Sequence, residues 1–480
     1  MSENKEAASE SAPPPVELAA PWQLDPEDDE SAEGRGAKQG LRRPHRLHHL
    51  LSPRRWLQRL VFWGGAIAVS GAAILFAIGA EHANNVLHFG LAWSPYLQLL
   101  LTPLGIALIV AATRQFPGSE GSGIPQTIAA LSVADHAERG RLLGLRTVAG
   151  KIVLTLVGLA SGASVGREGP TVQIGAAIMH AMGKLIRFSR HDMEKGLILA
   201  GGAAGVAAAF NTPLAGIVFA IEEMSRSFEE RTSGTIITAV IVAGAVSLAI
   251  LGDYTYFGHT SASVGFGEGW IAVGVCGVAG GLAGGIFSQL LVLSSRGLPG
   301  RLGTFARERP VAFGAACGLL LAIIGLASGG TTYGTGYHEA RKIVESTEAL
   351  PVTYGILKWL ASLVSYISGI PGGLFSPSLA VGAGLGANLA LVVPYAPAAA
   401  VALLGMVAYF AGVVQAPITA FVIVMEMTDN HDMLLPLMAT ALIATGISRL
   451  VCNEPLYRAL AMPFLKRAKA SAEGHARHRG

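Results

Sequence analysis

The sequence predicts an all-α, polytopic membrane protein built from many tilted and broken helices, and three observations carry that expectation. Of its 480 residues 51% are hydrophobic and only 14% are charged, where a globular domain carries about 25% charged residues. Mean hydropathy is +0.49. Several segments approach the roughly 20 apolar residues that a bilayer span needs, and these segments are interrupted by glycine and proline. The sharpest interruption is Gly166-Arg167-Glu168-Gly169-Pro170, a charged pair with no other charge between Ile152 and Val165 or between Thr171 and Met179.

The elements follow in chain order. Residues 1–45 are rich in Glu, Ala, Ser and Pro, with an acidic run from Asp25 to Glu30, and are expected to be disordered. A basic belt (Arg35, Lys38, Arg42, Arg43, Arg46, Arg54, Arg55, Arg59) then precedes the first apolar span. By the positive-inside rule it places the N-terminus in the cytoplasm. Its position against a span favours an anionic membrane surface over nucleic acid. Leu47, Leu50, Leu51, Trp56, Leu57 and Leu60 predict an amphipathic helix on that face. Spans are expected at Val61–Ala80, Leu91–Thr113, Leu197–Ile221, Thr235–Gly252, Trp270–Ser294, Val311–Gly330, Leu379–Val414 and Met433–Ser448. Gly277/Gly281 and Gly280/Gly284 have the spacing of tight helix contacts. A transmembrane domain over 46–466, with halves at about 57–250 and 268–460, is followed by a short basic tail at 467–480.

The halves resemble each other at their breaks. Gly175 follows Pro170, and Gly382 follows Pro377, at the same interval. Pro213 to Glu222 matches Pro417 to Glu426 in spacing. Corresponding broken segments in two halves are the sequence pointer to a midplane site in a transporter. A third break, Pro117 to Gln126, contains Ser122, whose other reading is ordinary turn chemistry.

Interrupted helices that present their N-terminal ends form a partial positive charge from backbone N–H groups, which suits a small anion. A lysine or arginine at the centre would hold that anion too tightly for release. The Glu168 carboxylate, a tethered anion, would compete for the seat, and protonation would free it. Glu222 and Glu223 are adjacent, so at most one should face inward; the other reading is an interfacial, solvated pair.

Other motifs read less well. Gly162-Ala163-Ser164-Val165-Gly166 fits the nucleophile-elbow pattern, but it lies in a small-residue helical span rather than a strand-turn-helix. No enzyme activity is expected. Gly382, Gly384 and Gly386 are better explained by helix packing than by a dinucleotide loop. Cys276, Cys317 and Cys452 offer neither metal spacing nor a disulfide framework. No cofactor or metal is expected.

Gly121-Ser122-Gly123-Ile124-Pro125, Gly166-Arg167-Glu168-Gly169-Pro170, Gly373-Leu374-Phe375-Ser376-Pro377 and Tyr457 occur together and in order. In this the chain, from about Trp56 to Leu465, resembles the CLC family of chloride channels and proton-coupled chloride antiporters. The resemblance implies two inverted-topology repeats and a homodimer with one pore per subunit. It implies Ser122 and Tyr457 as hydroxyl ligands of chloride. Backbone amides of Leu374, Phe375, Arg167 and Gly169 would complete the anion shell. Glu168 resembles the external gating glutamate and Glu223 the internal proton acceptor, which favours exchange of chloride for protons. A passive voltage- or pH-gated chloride channel is the alternative. Ser122 points to chloride, because nitrate-selecting relatives tend to carry proline there. Gln126 departs from the glutamate common at its position. No paired regulatory domain is expected after Leu465. The expected setting is a bacterial inner (plasma) membrane, multi-pass, with both termini cytoplasmic. The expected partners are chloride, protons, the lipid bilayer and a second copy of the chain, with no nucleic acid.

Overall fold

A computed structural model describes residues 53–133, 135–185, 191–225, 230–252 and 254–477. The predicted disordered segment and the residues Leu47, Leu50 and Leu51 of the predicted surface helix lie outside the described residues. The chain divides into Met1–Arg55 and Trp56–Gly480, and the second unit holds the architecture.

Among the described residues there are nineteen α-helices, and no strand beyond two isolated bridges. In order, α1 is Pro53–Trp93, α2 Gln98–Thr113, α3 Ile124–Ser132, α4 His136–Leu142 and α5 Leu145–Ala160. Next come α6 Glu168–Leu185, α7 His191–Phe210, α8 Pro213–Phe219 with a π-helical turn at Ala220–Ser225, and α9 Glu230–Leu251. The second half holds α10 Trp270–Arg296, α11 Gly300–Glu308, α12 Pro310–Ala327, α13 Tyr337–Val344 and α14 Tyr354–Ile367. It closes with α15 Phe375–Ala390, α16 Ala398–Val414, α17 Pro417–Thr428, α18 Leu434–Val451 and α19 Leu456–Arg477. Seven helical segments among the described residues are long and apolar enough to cross a membrane.

Several expected spans have different bounds. The first is much longer than predicted, because α1 begins at Pro53 and ends only at Trp93, ahead of Pro95. Trp56, Leu57 and Leu60 open this helix. The Phe210-Asn211-Thr212-Pro213 interruption read in the sequence divides the segment Leu197–Ile221 into two helices, with Asn211 at φ 57° and Pro213 starting the second. The segment expected at Leu379–Val414 is likewise divided at residues 391–397, which contain Pro394 and Pro397.

Small residues let the helices approach closely. A Cβ on Gly280 would lie 2.7 Å from the Tyr409 amide nitrogen, and one on Gly284 2.7 Å from Tyr409 O. The predicted glycine stripe therefore seats α10 on α16. Gly382 and Gly386 do the same for α15, where a Cβ would meet Gly405 O or Val401 O at 2.6 Å.

The repeat detected in the sequence becomes reciprocal contact between the halves. Glu222 accepts from the Ile418 and Thr419 amides at 3.1 and 2.6 Å, at the start of α17. Glu426 accepts from the Leu214 and Ala215 amides at 3.0 and 2.8 Å, at the start of α8. Each glutamate caps the first turn of the helical segment that carries its counterpart in the other half. Glu222→Ala and Glu426→Ala should each lower stability by about 1.5–3 kcal/mol, the range for hydrogen bonds to a charged group. Thermal unfolding of the detergent-solubilised protein checks this; unchanged midpoints would show that water replaces the carboxylates without loss.

Two buried lysines repeat the same relation 207 residues apart (358 − 151). Lys151 Nζ donates to Gly121 O at 3.1 Å, and Lys358 Nζ to Thr332 O and Gly334 O at 3.0 and 2.8 Å. Each ammonium satisfies the carbonyls of the preceding glycine-rich break, which would otherwise be buried without donors.

Candidate functional site

Three of the breaks meet at one point, joined by backbone. Gly166 and Gly373 exchange two N–H···O bonds of 2.7 and 2.6 Å. The Gly121 N–H donates to Ile370 O at 3.3 Å, and the Gly372 N–H donates to Gly121 O at 3.1 Å. Such closeness needs glycine. A Cβ on Gly373 would lie 2.8 Å from the Gly169 nitrogen, and one on Gly123 would lie 2.7 Å from Gly169 O. Gly123 also sits at φ 104°, a conformation closed to most side chains.

From this crossing α3, α6 and α15 start, so three helix N-termini converge. The first-turn amides of a helix have no intrahelical acceptor and carry the positive end of its dipole. Gln126 braces the first break: its Oε1 accepts from the Gly123 amide at 3.1 Å, and its amide group donates to Gly118 O at 3.2 Å and to Glu120 O. The departure at Gln126 thus has a structural use as a neutral clamp.

Polar side chains close on the same point. Ser122 and Tyr457 are fully buried, and neither hydroxyl has a geometric hydrogen-bond partner among the described residues. Ser122 Oγ packs against Gly169. The Tyr457 ring stacks on Phe375 with centroids 6.3 Å apart and planes at 13°. Phe375 is held in turn by Phe410 at 4.7 Å, Phe219 at 5.7 Å and Phe210 at 5.8 Å. Leu374 and Phe375, the N-cap and first residue of α15, are buried.

Glu168 opens α6 and is fully buried. Its Oε2 lies over Gly166 with no hydrogen-bond partner among the described residues. Its Oε1 accepts from Ser376 Oγ at 2.6 Å and from Tyr256 Oη at 3.1 Å. Arg167 is expected to contribute its backbone amide, and its side chain lies elsewhere. Its guanidinium turns from the crossing and lies 5.8 Å over the Tyr256 ring, with Nε 3.9 Å from Glu168 Oε1. There it lines a cavity of about 300 Å³ with Tyr254, Tyr256, Tyr337, His338 and Glu339. Any Arg167 contribution at the crossing is therefore a backbone one.

Glu223 is buried in the π-helical turn, while its neighbour Glu222 faces α17. Sequence reasoning missed Tyr256 and Ser376. Ser376 lay inside a recognised motif, but Tyr256 sits in a polar loop without any pattern. Ser164 does not sit on an elbow. Its amide donates to Ser365 Oγ at 2.9 Å, and its hydroxyl is 3.1 Å from that of Ser362, so its partners are hydroxyls rather than an imidazole.

A family model described as voltage gated chloride channel matches residues 105–449, which take in all three breaks. The chain belongs to the CLC family. Tyr457 lies just beyond the matched stretch. Among solved CLC structures, that of a slow cyanobacterial Cl−/H+ antiporter is 26% identical with a TM-score of 0.72, covering 87% of this chain and 99% of that one. A CLC-type fluoride/proton antiporter is 22% identical with a TM-score of 0.71, covering 83% of this chain and 97% of that one. A eukaryotic CLC transporter is 20% identical with a TM-score of 0.68, covering 85% of this chain and 74% of that one. The last two bear on the fold alone. The fold is thus the CLC fold of broken, all-α membrane helices, and the chain is a multi-pass membrane protein.

Proposed function

We propose that this CLC protein exchanges chloride for protons across a membrane through a pore gated by Glu168. Two buried hydroxyls without a geometric hydrogen-bond partner among the described residues, set where three helix N-termini converge, carry the reading. Each hydroxyl has a proton to donate to an anion. Amides of Gly169, Leu374 and Phe375 add partial positive charge, and a site built on them does not bind the anion as firmly as a full cation would. The Glu168 carboxylate carries the charge of a chloride and sits against the same crossing. Protonation cancels that charge and frees the seat, so one residue links proton to anion. Glu223, buried in the π-helical turn, serves as the internal proton acceptor. The similarity to the structure of a Cl−/H+ antiporter supports exchange. In this reading the chain works as a homodimer with one pore per subunit, its termini on the cytoplasmic side of a bacterial inner membrane.

The test is proton movement in reconstituted liposomes under a chloride gradient, with voltage clamped by potassium and valinomycin. Uphill proton movement driven by chloride is expected. Chloride flow with no proton response would replace exchange by passive conduction.

A further inference from the structure

One oxygen of Glu168, Oε1, is held by groups that the exchange reading does not use. Ser376 Oγ and Tyr256 Oη both meet it, at 2.6 and 3.1 Å, and lie 3.3 Å from each other. The three oxygens form a closed triangle. A carboxylate only accepts, so each hydroxyl gives its single proton to Oε1.

Neither hydroxyl can turn away easily. Tyr256 and Ser376 are buried. The Tyr256 ring is wedged edge-on against Tyr337 at 4.8 Å, Phe257 at 4.9 Å and Phe210 at 5.2 Å. Arg167 covers it from the cavity side. Ser376 is fixed in the first turn of α15. Four aromatic and cationic contacts thus aim one hydroxyl at one carboxylate oxygen, from a loop remote in sequence from every motif.

We propose that Tyr256 and Ser376 form a two-hydroxyl latch that holds the Glu168 carboxylate in place and sets how readily chloride displaces it. They are positioning residues, acting through Glu168. The latch rests on the reading of Glu168 as a carboxylate that competes with the transported anion, but it does not require proton exchange. Chloride affinity follows from competition: a more firmly held carboxylate demands more chloride to displace it.

The experiment is chloride flux against chloride concentration in reconstituted vesicles. The proteins are the unsubstituted chain, Tyr256→Phe, Ser376→Ala, Glu168→Ala, and the first two changes combined with Glu168→Ala. Phenylalanine keeps the ring contacts, and Ser376→Ala decides alone if Tyr256→Phe does not fold. Loss of either hydroxyl should lower the half-saturating chloride concentration about ten-fold, the factor of one charge-assisted hydrogen bond, without lowering maximal flux. In the Glu168→Ala background neither change should move it. If Glu168→Ala lowers the half-saturating concentration while Tyr256→Phe and Ser376→Ala leave it unchanged or raise it, the latch fails alone. A shift that persists without Glu168 also overturns it. If Glu168→Ala leaves the value unchanged, the gate reading fails and takes the latch with it.

Discussion

Glu223→Gln is expected to reduce chloride-driven proton movement by about a hundred-fold, the lower range for a positioned proton-transfer group, while chloride still passes. Glutamine keeps the volume and hydrogen-bonding shape of the side chain but cannot bind and release a proton. The expectation depends on which of two adjacent carboxylates faces inward. Glu222 caps the first turn of α17 through two amides, whereas Glu223 is 1% exposed. The π-helical turn at Ala220–Ser225 carries both, and its wider geometry lets successive side chains serve different partners. Glu222→Gln is therefore the matched control, expected to weaken the cap while leaving proton coupling in place. Both fluxes can be followed in the same voltage-clamped liposomes. Proton movement that survives Glu223→Gln, or that is lost equally in Glu222→Gln, would remove the assignment of Glu223 as internal acceptor.

Much of this arrangement was legible in the sequence, for physical reasons that also mark its limits. Breaks were visible because glycine and proline have backbone consequences that no neighbour can override, and a charged pair in apolar sequence admits few settings. The Pro213-to-Glu222 and Pro417-to-Glu426 spacing exposed the repeat, because a cap and its helix start must keep their distance in both halves. That these glutamates cap each other's helices was not legible, since spacing within one half says nothing about contacts across halves. The matched interval of Lys151 and Lys358 was present in the sequence too, and only the carbonyl cages give it meaning. Tyr256 had no signal at all. Its hydroxyl reaches Glu168 from 88 residues away, through ring packing that leaves no local pattern. Apolar length misjudged one helix end because the exposed connection at 391–397, between α15 and α16, is itself largely apolar and only Pro394 and Pro397 mark it.

Gly169→Ala should abolish most transport although alanine is the better helix former. Gly169 occupies the first turn of α6, and a methyl there would lie 2.8 Å from Ser122 O, 3.1 Å from Gly373 Cα and nearer still to Ser122 Oγ. All three neighbours belong to the crossing itself. Two are backbone atoms, which cannot rotate aside as the end of a flexible side chain could. Relief requires the first and third breaks to separate from α6, moving the Ser122 hydroxyl and the α15 amides away from a common centre. A misplacement of about 1 Å at a site that depends on convergent donors lowers rate by on the order of a hundred-fold, and chloride flux should fall accordingly. Gly274→Ala supplies the contrast. Gly274 lies inside α10, and a methyl added there would have nothing within 4 Å, so alanine should stabilise by about 0.5–1 kcal/mol and leave flux unchanged. A Gly169→Ala protein that transports chloride like the unsubstituted chain would mean that the anion does not sit where the three breaks meet. Equal losses at Gly169 and Gly274 would trace the effect to helix glycines in general rather than to this crossing.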